Sequence, residues 1–258
     1  MEILKKEISK DELDSGIPLG NHVLCEVYYT NRDAKTKGGV IIGFNNDVTY
    51  ASEDGKDTSS HPADMAETSL VVYRCPSKLY FEPTDPKGMD WETEMELGEE
   101  DIIWTNPIDA LNSVTLTCEG KEYKLINYQD VYCYKREIWV DKWSTPQKKK
   151  IVAHCINGYV LCEQVPYQTV SYLDVTSQDK IHKDRGIVRY FGTPNTRHRF
   201  PEITDFQNLE IGDLVLFDKK CVPFYLERSV YSAKFSDELF FVVPRKYINL
   251  VLERNYEK

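Results

Sequence analysis

The sequence predicts an all-β protein made of two similar barrel or sandwich units in tandem, and three observations carry that prediction. Beyond residue 16 the chain breaks into short runs rich in β-branched and aromatic residues: HVLCEVYY, GGVIIGF, SLVVYRC, KLYFEP, EDIIWT, SVTLTC, KEYKLI and DVYCYK, punctuated by Gly, Pro, Asn and Asp. Many short strands with frequent turn residues are the pattern of a barrel or a sandwich. The same texture then returns. NHVLCE (21–26) reappears as GYVLCE (158–163), SLVVYRCP (69–76) as GIVRYFGT (186–193), LGEEDIIWT (97–105) as IGDLVLFD (211–218), and YKLINYQDVYCYK (123–135) as LFFVVPRKYINLVLE (239–253). Matches that keep one order imply a duplicated unit. A length of 258 residues, 41% of them hydrophobic, suffices for two cores.

Taken in order, residues 1–15 form a charged lead-in with Ile3, Leu4, Ile8 and Leu13 at loosely helical spacing, available to pack on a neighbour. The first unit occupies 16–137. Its most unusual stretch is KTKGGVIIGFN (35–45), where Val40, Ile41 and Ile42 sit between Gly38, Gly39 and Gly43 among polar neighbours. A short aliphatic run bounded by turn residues reads as a buried strand. With glycines freeing the backbone on both sides, it also reads as an apolar docking tag. Two polar excursions follow, roughly 45–68 and the proline-bearing FEPTDPKGMDWETEME (81–96), of a kind that surface loops tolerate. The strand texture lapses in EIWVDKWSTPQKKK (137–150), so 138–150 is read as a linker and its lysine run as a solvated connection. The second unit fills 151–258.

Composition excludes several functions. A formal charge of -10 disfavours nucleic acid and anionic membrane, which both call for a positive surface. The seven cysteines (Cys25, Cys75, Cys118, Cys133, Cys155, Cys162, Cys221) are odd in number, form no CxxC pair, and several lie in apolar runs such as VLCEV and YVLCE. They read as reduced thiols acting as small hydrophobes in a cytoplasm-like compartment. The start, MEILKKEISKDELDSG, lacks the apolar core of a signal peptide, and no run reaches the length of a membrane span, so a soluble cytoplasmic protein is expected. His22, His61, His154, His182 and His198 show no ligand spacing, and no metal, cofactor or catalytic residue is expected. There is no GxSxG, phosphate loop or dinucleotide fingerprint. The acidic run WETEMELGEED offers Glu92, Glu94, Glu96, Glu99, Glu100 and Asp101, read as a solvated face. Seventeen tyrosines, ten phenylalanines and four tryptophans, in contexts such as YCYK and FFVV, read as core and interface filling.

The first unit supplies IPLGNHVLCEV, the loop TKGGVIIG and LGEEDIIW; the second supplies INGYVLCEQV, RGIVRYFG, LEIGDLVLF and KYINLVLE. In that order these segments resemble the GroES family of co-chaperonins, the lids of chaperonin folding chambers. The resemblance spans nearly everything beyond the lead-in. It implies two tandem GroES-like β-barrels with long loop insertions in the first. It also implies that Val40, Ile41 and Ile42 enter a groove on a chaperonin, with Gly38 and Gly39 as the flexible joint. In the second unit the corresponding stretch, VPYQTVSYLDVTSQDKIHKD, has no glycine pair, and Tyr172 and Leu173, with Val175, are its apolar candidates. The implied function is a non-enzymatic, ring-forming lid that caps a chaperonin chamber, its partners being the chaperonin and copies of itself. The alternative is a structural ring or scaffold, for example in a virus particle or tail, that keeps the assembly and has lost the chaperonin contact. Zinc-dependent dehydrogenases with GroES-like barrels also need a nucleotide-binding domain, for which this chain has no room.

Overall fold

A computed structural model describes residues 5–27, 69–81, 94–141, 148–166, 181–192, 209–218, 224–225 and 240–256. Within them the chain is mostly strand, arranged as two sheets. The first contains β1 (Lys5–Glu7), β2 (His22–Val27), β3 (Ser69–Arg74), β4 (Ile102–Thr105), β5 (Val114–Cys118), β6 (Lys121–Asn127), β7 (Val131–Asp141) and β8 (Lys148–Cys155), in the order β1-β5-β6-β2-β3-β4-β7-β8. The second contains β9 (Tyr159–Pro166), β10 (Ile181–Phe191), β11 (Leu214–Phe217), β12 (Phe224–Tyr225), β13 (Phe240–Pro244) and β14 (Ile248–Glu253), in the order β12-β13-β9-β10-β11-β14. With β1 and β8 set aside, the two sheets follow one path: β5-β6-β2-β3-β4-β7 against β12-β13-β9-β10-β11-β14. All-β architecture is therefore as the sequence predicts. Closed barrels are not formed: among the described residues the sheets end at β1 and β8, and at β12 and β14, and these end strands do not pair with each other. In the first sheet both margins are already taken, β5 by β1 and β7 by β8.

The ladders place residues of the two sheets in correspondence. Cys25 faces Val72 and Cys162 faces Val188; in each sheet the next residue of the flanking strand is bulged, so Leu24 faces Arg74 and Leu161 faces Tyr190. This register shifts one of the sequence matches by a residue, because Gly186 stands where Leu70 stands rather than where Ser69 does. Packing explains the change. A Cβ on Gly186 would come 2.7 Å from the Phe241 ring, so the aromatic fills the space that a side chain would need. The position equivalent to Phe241 in the first sheet is Lys124, and there Leu70 supplies the buried volume.

Local chemistry sets the turns. β5 and β6 are joined by Glu119 and Gly120, at φ of 51° and 79°, the two-residue geometry whose twist suits a hairpin. A short helix, α1 (Lys10–Ser15), starts at Ser9, whose side chain and that of Glu12 cap each other's backbone N–H. A second, α2 (Pro107–Asn112), begins with proline, whose fixed φ and missing donor suit a first helical turn. Single 3₁₀ turns, Tyr128–Asp130 and Arg245–Tyr247, lead into β7 and β14 at equivalent places.

Two sequence expectations change. The stretch 138–150 is not an irregular linker: Ile138 faces Lys150 and Trp139 faces Lys149 across the β7–β8 hairpin, leaving 142–147 between the strands. Charged residues on a sheet margin are compatible with strand, so the lysines masked the pairing. The lead-in packs on its own sheet. β1 runs parallel to β5, and Leu13 is buried with Leu24, Cys118 and Tyr123. The remaining core divides in four: one cluster inside the first sheet, two inside the second, the smaller of them Val165, Ile187 and Leu214, and one between the sheets.

Candidate docking and assembly surfaces

Each sheet sends a long connection from the same point in its path. Residues 28–68 join β2 to β3, and residues 167–180 join β9 to β10; the pairs Val27–Leu70 and Pro166–Ile181 lie at their bases. The expected docking residues Gly38, Gly39, Val40, Ile41 and Ile42 fall in the first connection and Tyr172 and Leu173 in the second, all outside the described residues.

A buried clamp recurs beside the strand that follows. The Asp101 carboxylate accepts from the Gly98 N–H at 2.7 Å and from Arg136 Nε and Nη2 at 2.7 and 2.6 Å. Asp213 accepts from the Glu210 N–H and from Arg254 Nη1, both at 2.8 Å. Each aspartate follows a residue at positive φ, Glu100 at 71° and Gly212 at 93°. The hydrogen bond to Asp101 raises the Arg136 pKa further. Part of the acidic run is therefore structural rather than a solvated face, since Asp101 is buried and Glu96 accepts from the Tyr128 hydroxyl at 3.0 Å. Sequence matching hid the second arginine, because β14 carries one extra residue: Lys135 faces Ile102, whereas Glu253 faces Leu214 across a bulge.

The contact between the sheets is apolar and directional. Trp104, Tyr132 and Cys133 of the first sheet, with Cys155 of β8, pack on Leu161, Phe240 and Val242 of the second. Tyr132 meets Tyr159 across this contact edge to face at 4.7 Å, and within the second sheet Tyr190 meets Phe240 likewise at 5.8 Å. The chain crosses between sheets at Asn157 and Gly158, at φ of 58° and 70°. Asn157 Nδ2 donates to the carbonyls of Tyr128 and Val131 at 2.6 and 2.9 Å, and Ile156 enters the core of the first sheet. Asn-Gly between apolar residues is a turn signal that the sequence displays openly. So is the Ser-x-x-Glu box at Ser9.

No protein-family model matches the chain, and no curated protein and no solved structure is significantly similar to it.

The described thiols are largely withdrawn from solvent. Cys25, Cys118, Cys133, Cys155 and Cys162 are buried, and burial pushes the pKa of Cys25, Cys133 and Cys155 well up. The Cys75 thiol is pushed up to about 12 by burial first and then by the Asp101 and Glu99 carboxylates. A thiol so shifted is a poor nucleophile at neutral pH. Among the described residues no cluster of three or more His, Cys, Asp or Glu is placed to hold a metal, and no helix is long and apolar enough to cross a membrane. What the described geometry does offer is exposed apolar side chains at several places, among them Ile17 and Leu19 before β2, and Leu250 and Leu252 on β14.

Proposed function

We propose that the chain is a non-enzymatic, co-chaperonin-like lid: two GroES-like units that assemble with further copies into a ring and meet a chaperonin through the segment holding Val40, Ile41 and Ile42. One observation carries this reading. A single strand order occurs twice, and in both sheets the long connection leaves between equivalent strands, the first carrying the Gly-Gly-aliphatic stretch. Burying three aliphatic side chains contributes about 1.5 to 3 kcal/mol each, against about 2 to 5 kcal/mol for ordering a segment that folds on binding. One contact is weak. Several presented together gain about 10² to 10⁴ in avidity, which is why assembly belongs to the mechanism.

The test is capture of the purified full chain on a chaperonin with nucleotide present, comparing wild type with a variant in which Val40, Ile41 and Ile42 are all serine. Capture by wild type and its loss in the variant is the expected result. A second reading, a structural ring in a virus particle or tail, is favoured by the second connection, which lacks the glycine pair. Failure of both proteins to be captured, with rings still visible by electron microscopy, would select it.

A further inference from the structure

The correspondence between the sheets shows what belongs on each end of the chain. On the second sheet, Leu161, Phe240 and Val242 receive Trp104, Tyr132 and Cys133 of the first. By ladder register their counterparts on the first sheet are Leu24, Tyr123 and Leu125. That face is already covered. Leu13 and Ile8 of the N-terminal segment pack on Leu24, Tyr123 and Leu125, so the segment sits where a neighbouring sheet would sit. At the opposite end the counterparts of Trp104 and Cys133 are Leu216 and Leu250. Cys133 is fully buried, whereas Leu250 is 53% exposed and its neighbour Leu252 is 40% exposed. Among the described residues no strand lies on the outer side of β14, although β8 lies there on β7. Just before β2, Leu19 occupies the place that Ile156 holds before β9; Leu19 is 76% exposed and Ile156 1%.

We propose that the segment Lys5–Ser15 is a releasable cap on a head-to-tail self-association joint, whose occupant after release is the β14 end of a second copy of this chain. This rests on the assembly half of the reading above and not on chaperonin contact. The second copy is the fitting occupant because the chain itself displays the joint once, between its own sheets, with both complementary faces repeated at its two ends. Such a contact joins different surfaces, and it closes into a ring or continues as a filament according to the rotation it imposes. The cap is built to let go. Two apolar side chains, a parallel ladder from Lys5 to Glu7, and surface contacts on the Tyr73 hydroxyl hold it, Lys10 donating to that oxygen at 3.0 Å and the hydroxyl donating to Asp14; the Ser9–Glu12 box and the Lys10–Asp14 pair act only within the segment and keep its helix formed. Segments held by few buried apolar contacts open well below the free energy of global unfolding.

The experiment is sedimentation velocity across a concentration series on the full chain, comparing wild type with Leu13→Asp, Leu250→Asp and the double variant. Leu13→Asp is expected to lower the dissociation constant for self-association by at least about tenfold. Adding Leu250→Asp is expected to return the protein to single chains. Should Leu13→Asp fail to fold by circular dichroism, Ser9→Ala with Asp14→Ala loosens the cap from its exposed side and is expected to shift the equilibrium in the same direction, less far. The proposal is overturned if the folded uncapped variants associate no more than wild type, or if the Leu13→Asp assembly persists with Leu250→Asp present. It is also overturned if wild-type rings survive dilution with residues 5–15 still protected from hydrogen exchange. Loop-dependent chaperonin capture by a chain whose uncapped form gains no mass would remove the cap and leave the lid reading standing. Uncapping that drives assembly, with no capture, would do the reverse.

Discussion

Asp101 and Asp213 are placed by their turns and held by arginines that sequence distance conceals. Arg136 lies 35 residues after Asp101, and Arg254 lies 41 after Asp213. The Asp101 carboxylate is buried while the guanidinium keeps more than a third of its side-chain surface in water, so the full penalty of an orphaned buried charge does not apply. Asp101→Ala is expected to cost about 2 to 3 kcal/mol, mostly through the Gly98 N–H and Arg136 left without their acceptor. Urea unfolding measures this, and a loss below about 0.5 kcal/mol would show the clamp to be incidental. The exchange of volume between Leu70 with Lys124 and Gly186 with Phe241 is also a residue-scale fact. It shows why two copies of one fold can diverge in sequence: what is kept is the space filled, not the strand that fills it.

Among the described elements, α1 is one whose hold depends on pH. Glu12 is kept below its ordinary 4.5, first by the hydrogen bonds from the Ser9 backbone and side chain and then by Lys6. Asp14 is kept below its ordinary 3.8 by the Tyr73 hydroxyl of β3 first, then by Lys10, with Arg74 also facing it. A carboxylate whose folded pKa lies under its unfolded one stabilises fully above the unfolded value, and the contribution disappears as pH falls through the folded value. The N-terminal segment is thus expected to loosen below pH 3.8 to 4.5 and to be unaffected from there to neutrality. Backbone NMR shifts of residues 9–15 report it. A transition centred above 4.5, or none down to where the core itself unfolds, would contradict the assignment. The β7–β8 hairpin illustrates the opposite limit, in which charge conceals order: the lysines opposite Ile138, Trp139 and Asp141 look like solvated linker and are strand.

For the whole molecule the decisive feature is the joint between the sheets. Trp104 is fully buried at its centre, so Trp104→Ala is expected to cost about 3 to 5 kcal/mol and to loosen the coupling of the two sheets. Calorimetry would register a lower midpoint and a broader or split transition; an unchanged profile would mean that the sheets hold each other by other contacts. Much of this architecture was legible beforehand. Strand texture and ordered matches determined an all-β chain with a duplicated pattern, because alternation, turn residues and repetition are local properties of the string. The apolar triplet between glycines is a local pattern of the same kind, but it lies outside the described residues and its docking role is the proposal that chaperonin capture tests. The pairing of β7 with β8, the one-residue shift at Gly186, the bulge that returns Arg254 to Asp213, and the sheets left open rather than closed were decided in three dimensions. Each depends on which surfaces meet across tens of residues, and no local pattern records that. The N-terminal segment shows the division most plainly: the sequence offered a charged lead-in with apolar residues at loosely helical spacing, and tertiary structure decided that Lys5–Glu7 is strand, Lys10–Ser15 helix, and that the segment lies on the face where another sheet would fit.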